Sequence, residues 1–519
     1  MQELIYHRLL LPSVTRNAGR PCVTDAATGS TFTFAEHLDR VSSVSGALRE
    51  LGVDRSDRFG VLALNSPEYV ELYHAAFLGS GVINPLNLRF APKELAYVLA
   101  DSLTKVCFVD ATFAPLLDRV KAEAGIEHVV LIGDGDVPHT ARYDDLLSSS
   151  APVIPDEGEE SDPVVLMYTG GTTGMPKGVL VDQRAQMLNL YHITMTIEIG
   201  RDDVALVQTP MFHVASLYNV LAAPALGAHT VTLPAFDPGM VIKAMMDFAP
   251  TWTMMVPTMI GLTMAHPDFT TEHLGCLRNL VYGASPMPQA LVEKLLALYP
   301  DTNIWQAYGM TEASAVLTFL GPNEHRLGGK YLRSAGVPMT GVELSIRDPL
   351  DNELPVGESG EVCARGGNYM IGYWNNPEAT ADVFRNGWYH SGDAGYVDED
   401  GYLYLVDRVK DMIVTGGENV YSIEVENALA RHPAVMQVAV IGIPHDTWGE
   451  AVHAVVVLRE DATVTEDELI AHTRGEIAGY KVPKSIELRA EPLPLSGAMK
   501  VLKRELRAPY WDGRDRRIN

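Results

Sequence analysis

MYTGGTTGMPKG, Met167 to Gly178, decides how this chain is read. It packs four glycines, three threonines and one lysine into twelve residues. Gly170, Gly171 and Gly174 permit backbone conformations that turn successive N–H groups toward one anion. Thr169, Thr172 and Thr173 add hydroxyl donors, and Lys177 adds a mobile charge. VVLMYTG (164–170) runs into the loop as a strand, so the loop is scaffolded rather than loose. The spelling is not the Walker loop, G-x-x-x-x-G-K-[ST], because Lys177 stands between Pro176 and Gly178. The loop holds a phosphate, but for a different chemistry.

Outward from this loop the chain alternates β and α. Residues 33–51 read as an amphipathic helix after a short strand. FGVLALN (59–65), KVCFVD (105–110) and HVVLIG (128–133) read as strands. SPEYVELYHAAFLGSG follows the first of these as a helix, with Ser66 as N-cap and Pro67 at its first position. The alternation argues for an α/β fold of helix-covered parallel sheets. From about residue 340 the texture changes. VELSIRD, GEVCARG and GYLYLVD are short alternating strands between Gly-rich turns, an antiparallel and barrel-like region. After Arg408 a smaller α+β tail follows, giving a large domain over 1–408 and a mobile small one over 409–519. Residues 151–163 (APVIPDEGEESDP) read as an acidic, proline-containing linker, and no internal repeats are visible.

The bulk numbers bound the function. At 519 residues the chain is too long for one ordinary core. Its net charge of −26, from 66 acidic and 40 basic residues, disfavours nucleic acid and anionic membranes as partners. The four cysteines, Cys22, Cys107, Cys276 and Cys363, are too scattered for metal-ligand spacing or a disulfide framework, which fits a reducing cytoplasm. The first apolar run is broken by His7, Arg8 and Pro12 and is not read as a signal peptide. No apolar run is long enough to span a bilayer.

Further motifs follow the loop in order: YGAS (282–285), QAYGMTE (306–312), GYW (372–374), GWYHSGD (387–393), DRVKD (407–411), GGENVY (416–421) and the late Lys500. With TGGTTGMPKG they resemble the adenylate-forming superfamily, which includes acyl-CoA synthetases, non-ribosomal peptide adenylation domains and luciferases. The resemblance covers almost the whole chain, and seven motifs in order make it specific. It implies a two-step ligase: a carboxylate attacks the α-phosphate of ATP, and a thiol then displaces AMP. ATP, Mg²⁺ and coenzyme A are the expected cofactors, with a small carboxylic acid as substrate. A homodimer is left open.

The same resemblance assigns roles. The phosphate loop (Thr169, Gly170, Gly171, Thr172, Thr173, Gly174, Lys177) would wrap the β- and γ-phosphates. Gly283, Ala284 and Gly309 would border the nucleotide, and Tyr308 would lie against adenine. Thr311 would contact the α-phosphate and Glu312 would hold Mg²⁺, although a Thr-Glu pair alone equally marks a helix start. Asp393 would accept from the ribose diol, which suits a carboxylate. Arg408 would be a second ribose contact; alone, it reads as a surface partner of Asp407 or Asp411. Gly416, Gly417, Glu418 and Trp448 would line the thiol tunnel, and Lys410 would be the hinge. Lys500 would bridge carboxylate and phosphate in the first half-reaction, with Lys503 as the weaker rival. Two departures stand out: Ser391 replaces the family's usual Thr, and Met499 replaces the glycine that usually precedes the lysine.

PMFHVASLYN (210–219) matches the acyl-pocket segment. Amino-acid-activating relatives place an aspartate where this chain has His213, so an ammonium would be left unpaired at a cost of several kcal/mol. His213 reads as an aromatic gate between acyl pocket and thiol tunnel, with a packed core histidine as the plain alternative. Ser216, Tyr282, Gly283, Gly309 and Met310 complete the expected substrate pocket, which points to a hydrophobic or aromatic acid. Coenzyme A is the expected acceptor. The alternatives are an acyl-AMP ligase that loads a carrier protein, a luciferase-like oxygenase, and a non-catalytic nucleotide-binding pseudoenzyme. The hinge generates the first prediction: Lys410→Pro should leave acid-dependent pyrophosphate release intact and impair thioester formation, and the reverse pattern would count against Lys410 as the pivot.

Overall fold

The structure, a computed structural model, describes residues 3–169, 175–408, 412–415, 418–445, 447–460, 462–497 and 499–512. The expected α/β architecture is present. One nine-stranded sheet runs, from edge to edge, Val337–Pro338, Thr318–Leu320, Asn303–Tyr308, Asn279–Gly283, Trp252–Met255, Val204–Val207, His229–Thr232, Pro21–Asp25 and Thr31–Thr33. Its six middle strands are parallel and its edge strands antiparallel. A second sheet of eight strands has Pro163–Thr169, the strand that feeds the phosphate loop, between Lys177–Asp182 and Val82–Pro85. A third, antiparallel sheet is built from Glu343–Arg347, Gly360–Arg365, Phe384–Arg385, Trp388–Val397 and Leu403–Arg408, where the barrel-like region was expected.

The helix Pro67–Phe77 shows how the sheets are joined. Ser66 caps it by accepting from the Tyr69 N–H at 3.3 Å, and Pro67 opens it, as the sequence predicts. Every residue of this helix except Glu68 is buried, because it lies inside the fold and touches strands of both large sheets. Tyr73 donates to the Met211 carbonyl at 2.6 Å, and His74 lies 3.0 Å from the Val220 carbonyl. The helix thereby fixes the segment that carries His213. Its buried Glu71 is met by Arg40 at 2.5 Å and by the Tyr143 hydroxyl at 2.7 Å, so the charge is compensated.

Residues 412–512 build their own sheet from Ile413–Thr415, Glu418–Val420, Val435–His445, Gly449–Leu458 and Ser485–Arg489. Two apolar clusters lie wholly within this part, one around Val440, Val452 and Leu469 and one around Ile441, Val455 and Leu506.

Residues 151–163, read as a linker just before the phosphate loop, run without helix from Tyr143–Ser149 to the strand Pro163–Thr169, and they are fastened down. Arg55 pairs with Asp162 at 3.1 Å, Arg8 with Glu157 at 2.7 Å, and the Val153 N–H donates to Ser42 at 2.9 Å. Two of its acidic residues, Glu157 and Asp162, are the ion-pair partners that hold it. A Cβ on Gly46 would come within 2.0 Å of the Ala151 carbonyl oxygen. Gly46→Ala should therefore destabilise the protein by about 1–3 kcal/mol, read as a lower denaturation midpoint. An unchanged midpoint would mean that the segment does not pack against the helix.

Candidate active site

Thr169 and Lys177 at the two ends of the phosphate loop, the QAYGMTE turn and the late lysine border one cleft of about 2840 Å³ between the large sheets and the tail. Thr169, Lys177, Ala284, Tyr308, Gly309, Met310, Thr311, Glu312, Asp393, His213 and Lys500 all border it. Gly170 to Gly174, Lys410, Gly416 and Gly417 lie outside the described residues, as do the side chains of Arg408 and Glu418.

The backbone here is set by close approaches. A Cβ on Gly309 would meet the Ala315 carbonyl oxygen at 2.0 Å, and one on Gly283 would meet that of Ala307 at 2.3 Å. Ala284, Ser314 and Ala315 all have positive φ, at 65°, 57° and 124°. Non-glycine residues held in this region gather where the surroundings over-determine the chain.

Three contacts organise the polar groups. The Tyr308 hydroxyl donates to Asp393 Oδ2 at 2.8 Å, and burial, helped by the Asp393 charge, keeps that phenol protonated. Ser391 donates to the Val362 carbonyl at 2.6 Å and accepts from the Asp393 N–H at 3.1 Å. Its hydroxyl thus serves the backbone, a task that either Ser or Thr can fulfil. Glu312 accepts from the Tyr373 hydroxyl at 2.8 Å, and Lys177 stands over the Tyr373 ring, 5.0 Å from its centre. Tyr373 lies inside the GYW motif, but its link to Glu312 crosses 61 residues, and the motif alone does not reveal it.

Lys500 arrives on a turn from Pro494 to Leu502, closed by Leu502 N–H to Pro494 O at 2.8 Å and Ser496 N–H to Lys500 O at 2.7 Å. The turn is docked on the large sheets. Arg89 donates to the Leu495 carbonyl, and Thr258 donates to the Met499 carbonyl at 3.0 Å. A Cβ on Gly497 would lie 2.7 Å from Asn87 and 3.0 Å from Phe212. Met499 has φ +60°, the left-handed conformation that favours glycine, and its side chain packs on the large apolar core. The Met499 departure is therefore accommodated by an apolar contact that glycine would lack. Lys503, the rival, is turned into the tail, 2.7 Å from Glu426 and 2.5 Å from Ser422.

His213 caps the helix Val214–Leu226, with Nδ1 accepting from the Ala215 N–H at 3.2 Å. Burial, with the Lys500 charge adding to it, brings its imidazole down to about 3. It is neutral at ordinary pH, with the remaining proton on Nε2.

Family models match most of the chain. Residues 12–374 match the AMP-binding enzyme model and residues 424–500 match the AMP-binding enzyme C-terminal domain. The chain belongs to the AMP-binding enzyme family. It is 38% identical over 485 residues to a feruloyl-CoA synthase of Amycolatopsis sp, covering 93% of this chain and 94% of that one. It is 34% identical to the fatty acid–[acyl-carrier-protein] ligase ScoC of Streptomyces coeruleorubidus, with 95% and 94% covered. Its fold is similar to that of ATP-bound MatB from Rhodopseudomonas palustris, with a TM-score of 0.89 over 99% of both chains at 28% identity.

Not every expected residue of this AMP-binding enzyme reaches the cleft. Ser216 is fully buried and donates to the Thr209 carbonyl at 2.8 Å. Tyr282 is buried, with its hydroxyl 3.0 Å from Gln306 and 3.1 Å from His325. Neither borders the cleft, and Gly283 does not either. Trp448 stands outside it, stacked on His445 at 4.1 Å. Residues that were not singled out as site residues do border it: Asn87, Arg89, Phe212, Tyr218, Asn219, Trp252 and Thr258. Phe212, Tyr218 and Asn219 lie in the segment PMFHVASLYN, which carries this signal. With Glu312 expected to hold Mg²⁺, Tyr373→Phe should raise the Mg²⁺ concentration for half-maximal pyrophosphate release by about fivefold. An unchanged Mg²⁺ titration would sever Tyr373 from that role.

Proposed function

We propose that this chain is an ATP-dependent acyl-CoA synthetase acting on a hydrophobic or aromatic carboxylic acid. As a member of its family, it is an AMP-forming acid–thiol ligase. The observation that carries the finer reading is the docked turn, which puts Lys500 on the border of the cleft that His213, Thr311 and Asp393 also line.

In the first half-reaction one oxygen of the acid bonds to the α-phosphorus as the bond to the bridging oxygen breaks, and that oxygen leaves with pyrophosphate. Two anions meet, so positive charge and positioning lower the barrier. Lys500 supplies the charge between the carboxylate and the phosphate. Lys177 and the loop residues Thr169 to Gly174 hold the leaving phosphates, and Thr311 contacts the α-phosphate. Asp393 takes the ribose, oriented by Tyr308 and Ser391. Glu312 has one oxygen held by Tyr373 and offers a hard oxygen donor beside Thr311, which fits Mg²⁺. When bound, Mg²⁺ would supply charge to the phosphate oxygens. A neutral His213 does not compete with the acid for Lys500, and it supports the role of gate.

In the second half-reaction the coenzyme A sulfur, as thiolate, bonds to the acyl carbon while the carbon–oxygen bond to AMP breaks. We place the boundary of the mobile domain after Arg408, with Lys410 as hinge. Gly416, Gly417, Glu418 and Trp448 then belong to the face that turns toward the thiol. The position of Trp448 outside the present cleft fits that assignment. We also place the enzyme in the cytoplasm, in keeping with its four unpaired cysteines. No helix among the described residues is long and apolar enough to cross a membrane.

A second reading, transfer to a carrier protein instead of coenzyme A, is favoured by the ScoC relative alone. The test is pyrophosphate release over a panel of acids, with mass spectrometry for the thioester. Release should require both acid and Mg²⁺, and the thioester should form with coenzyme A. An adenylate that accumulates unchanged in excess coenzyme A would defeat the proposal. Lys500→Ala should abolish adenylation, yet convert supplied acyl-adenylate to thioester at a near-normal rate. Equal loss of both halves would refute the assignment of Lys500.

A further inference from the structure

GEVCARG, Gly360 to Gly366, supplies the strand that pairs with the one carrying Asp393. The pairing is irregular. Cys363 faces His390 and Glu361 faces Ala394, so Ser391, Gly392 and Asp393 stand opposite Val362 alone. Extra residues on one strand bulge it and re-aim a side chain. Here the bulge ends on Asp393, whose side chain borders the cleft.

A bulge takes backbone N–H groups off the ladder, and they need other acceptors. Two side chains provide them. Ser391 Oγ accepts from the Asp393 N–H at 3.1 Å and donates to the Val362 carbonyl at 2.6 Å. Glu361 Oε1 accepts from the Gly392 N–H at 3.0 Å. Gly392 has φ +71°, and a Cβ there would meet no heavy atom within 4 Å. Conformation rather than space therefore calls for glycine, and Glu361 answers the N–H that this conformation turns away from the ladder.

The second oxygen anchors Glu361 itself. Oε2 lies 2.8 Å from His390 Nδ1 and 3.5 Å from Arg385 Nη2. His390 is buried, and its Nε2 lies 3.5 Å from Asp351. Glu361, Cys363 and His390 place ligand atoms within 4.8 Å of one another, as a metal site would. Arg385 Nη2 stands 2.7 Å from His390 Nδ1, however, so a guanidinium supplies the positive charge there.

We propose that Glu361 is a positioning residue for the nucleotide: anchored by His390 and Arg385, it fixes the Gly392 bulge that aims Asp393 at the ribose, and so sets the preference for a ribonucleotide over its deoxy analogue. The inference rests on the reading above in which Asp393 takes the ribose. Asp393 is then held from three sides, by Tyr308 on Oδ2, by Ser391 on its own N–H, and by Glu361 on the peptide before it. Such a grip matters because hydrogen bonds are short-ranged. A shift of about 1 Å takes one from about 2.8 Å to beyond the distance at which it counts.

The experiment titrates the full chain with Mg²⁺–ATP and with Mg²⁺–2′,3′-dideoxy-ATP, which lacks both ribose hydroxyls, and reads the two dissociation constants by calorimetry. The native chain should favour ATP by about tenfold or more, since a site built for a hydroxyl rejects the analogue lacking it. Glu361→Leu keeps the bulk and removes the acceptor. It should weaken ATP about fivefold or more and leave dideoxy-ATP unchanged. Glu361→Gln keeps an oxygen for Gly392 and should retain most of the preference. If Glu361→Leu does not fold, Glu361→Asp replaces it, because it keeps the charge but falls one methylene short of Gly392, and the same loss is expected.

A preference that survives the loss of the acceptor overturns the inference. Equal weakening of both nucleotides also does, because it marks general damage rather than aim. So does a Glu361→Gln variant as poor as Glu361→Leu, which would make charge and not the Gly392 bond the cause. These outcomes leave the synthetase reading intact. A native chain that binds both nucleotides equally overturns the ribose role of Asp393, and this inference with it. The synthetase reading itself stands or falls on acid-dependent pyrophosphate release, which is measured separately.

Discussion

Two backbone carbonyls hold the active arrangement together. Those of Leu495 and Met499, on the turn that presents Lys500, accept from Arg89 and Thr258 on the opposite wall. These bonds need little from the tail except the shape of its turn. They place a lysine on the border of the cleft that His213 also lines, while leaving the tail's own clusters undisturbed. A reaction that joins two anions depends on positive charge delivered late and at a defined point, and a docked turn can deliver it and withdraw it.

The large sheets provide the fixed side of this arrangement. The buried helix Pro67–Phe77 pins the Met211 and Val220 carbonyls, and so holds the segment from which His213 and the acyl pocket are built. At Gly283 and Gly309 a Cβ would come within 2.3 and 2.0 Å of a backbone carbonyl oxygen, which fixes the chain on either side of Tyr308. The turn that carries Lys500 therefore docks on a rigid template.

Much of this is legible in the sequence where the signal is local. The Ser66–Pro67 start, the strand before the phosphate loop and the antiparallel texture after 340 follow from neighbours in the chain, and the structure has all three. What is not legible is the pairing of distant residues. Tyr308 with Asp393 and Tyr373 with Glu312 join separate motifs, and nothing in either motif names its partner. Ser216 shows the opposite failure. Its hydroxyl looks available in the pocket segment, but the backbone carbonyls of Thr209 and Pro210 take it.

Met499 gives the docking a thermodynamic character of its own. Its side chain packs on the core of the large sheets, so part of the attraction between turn and template comes from apolar surface removed from water. Closure should carry a negative heat-capacity change, and its equilibrium should drift with temperature differently from one held by hydrogen bonds alone. A glycine there would relax the backbone but make the latch almost wholly polar. The residue that strains the turn also sets how the closed state responds to heat and cold.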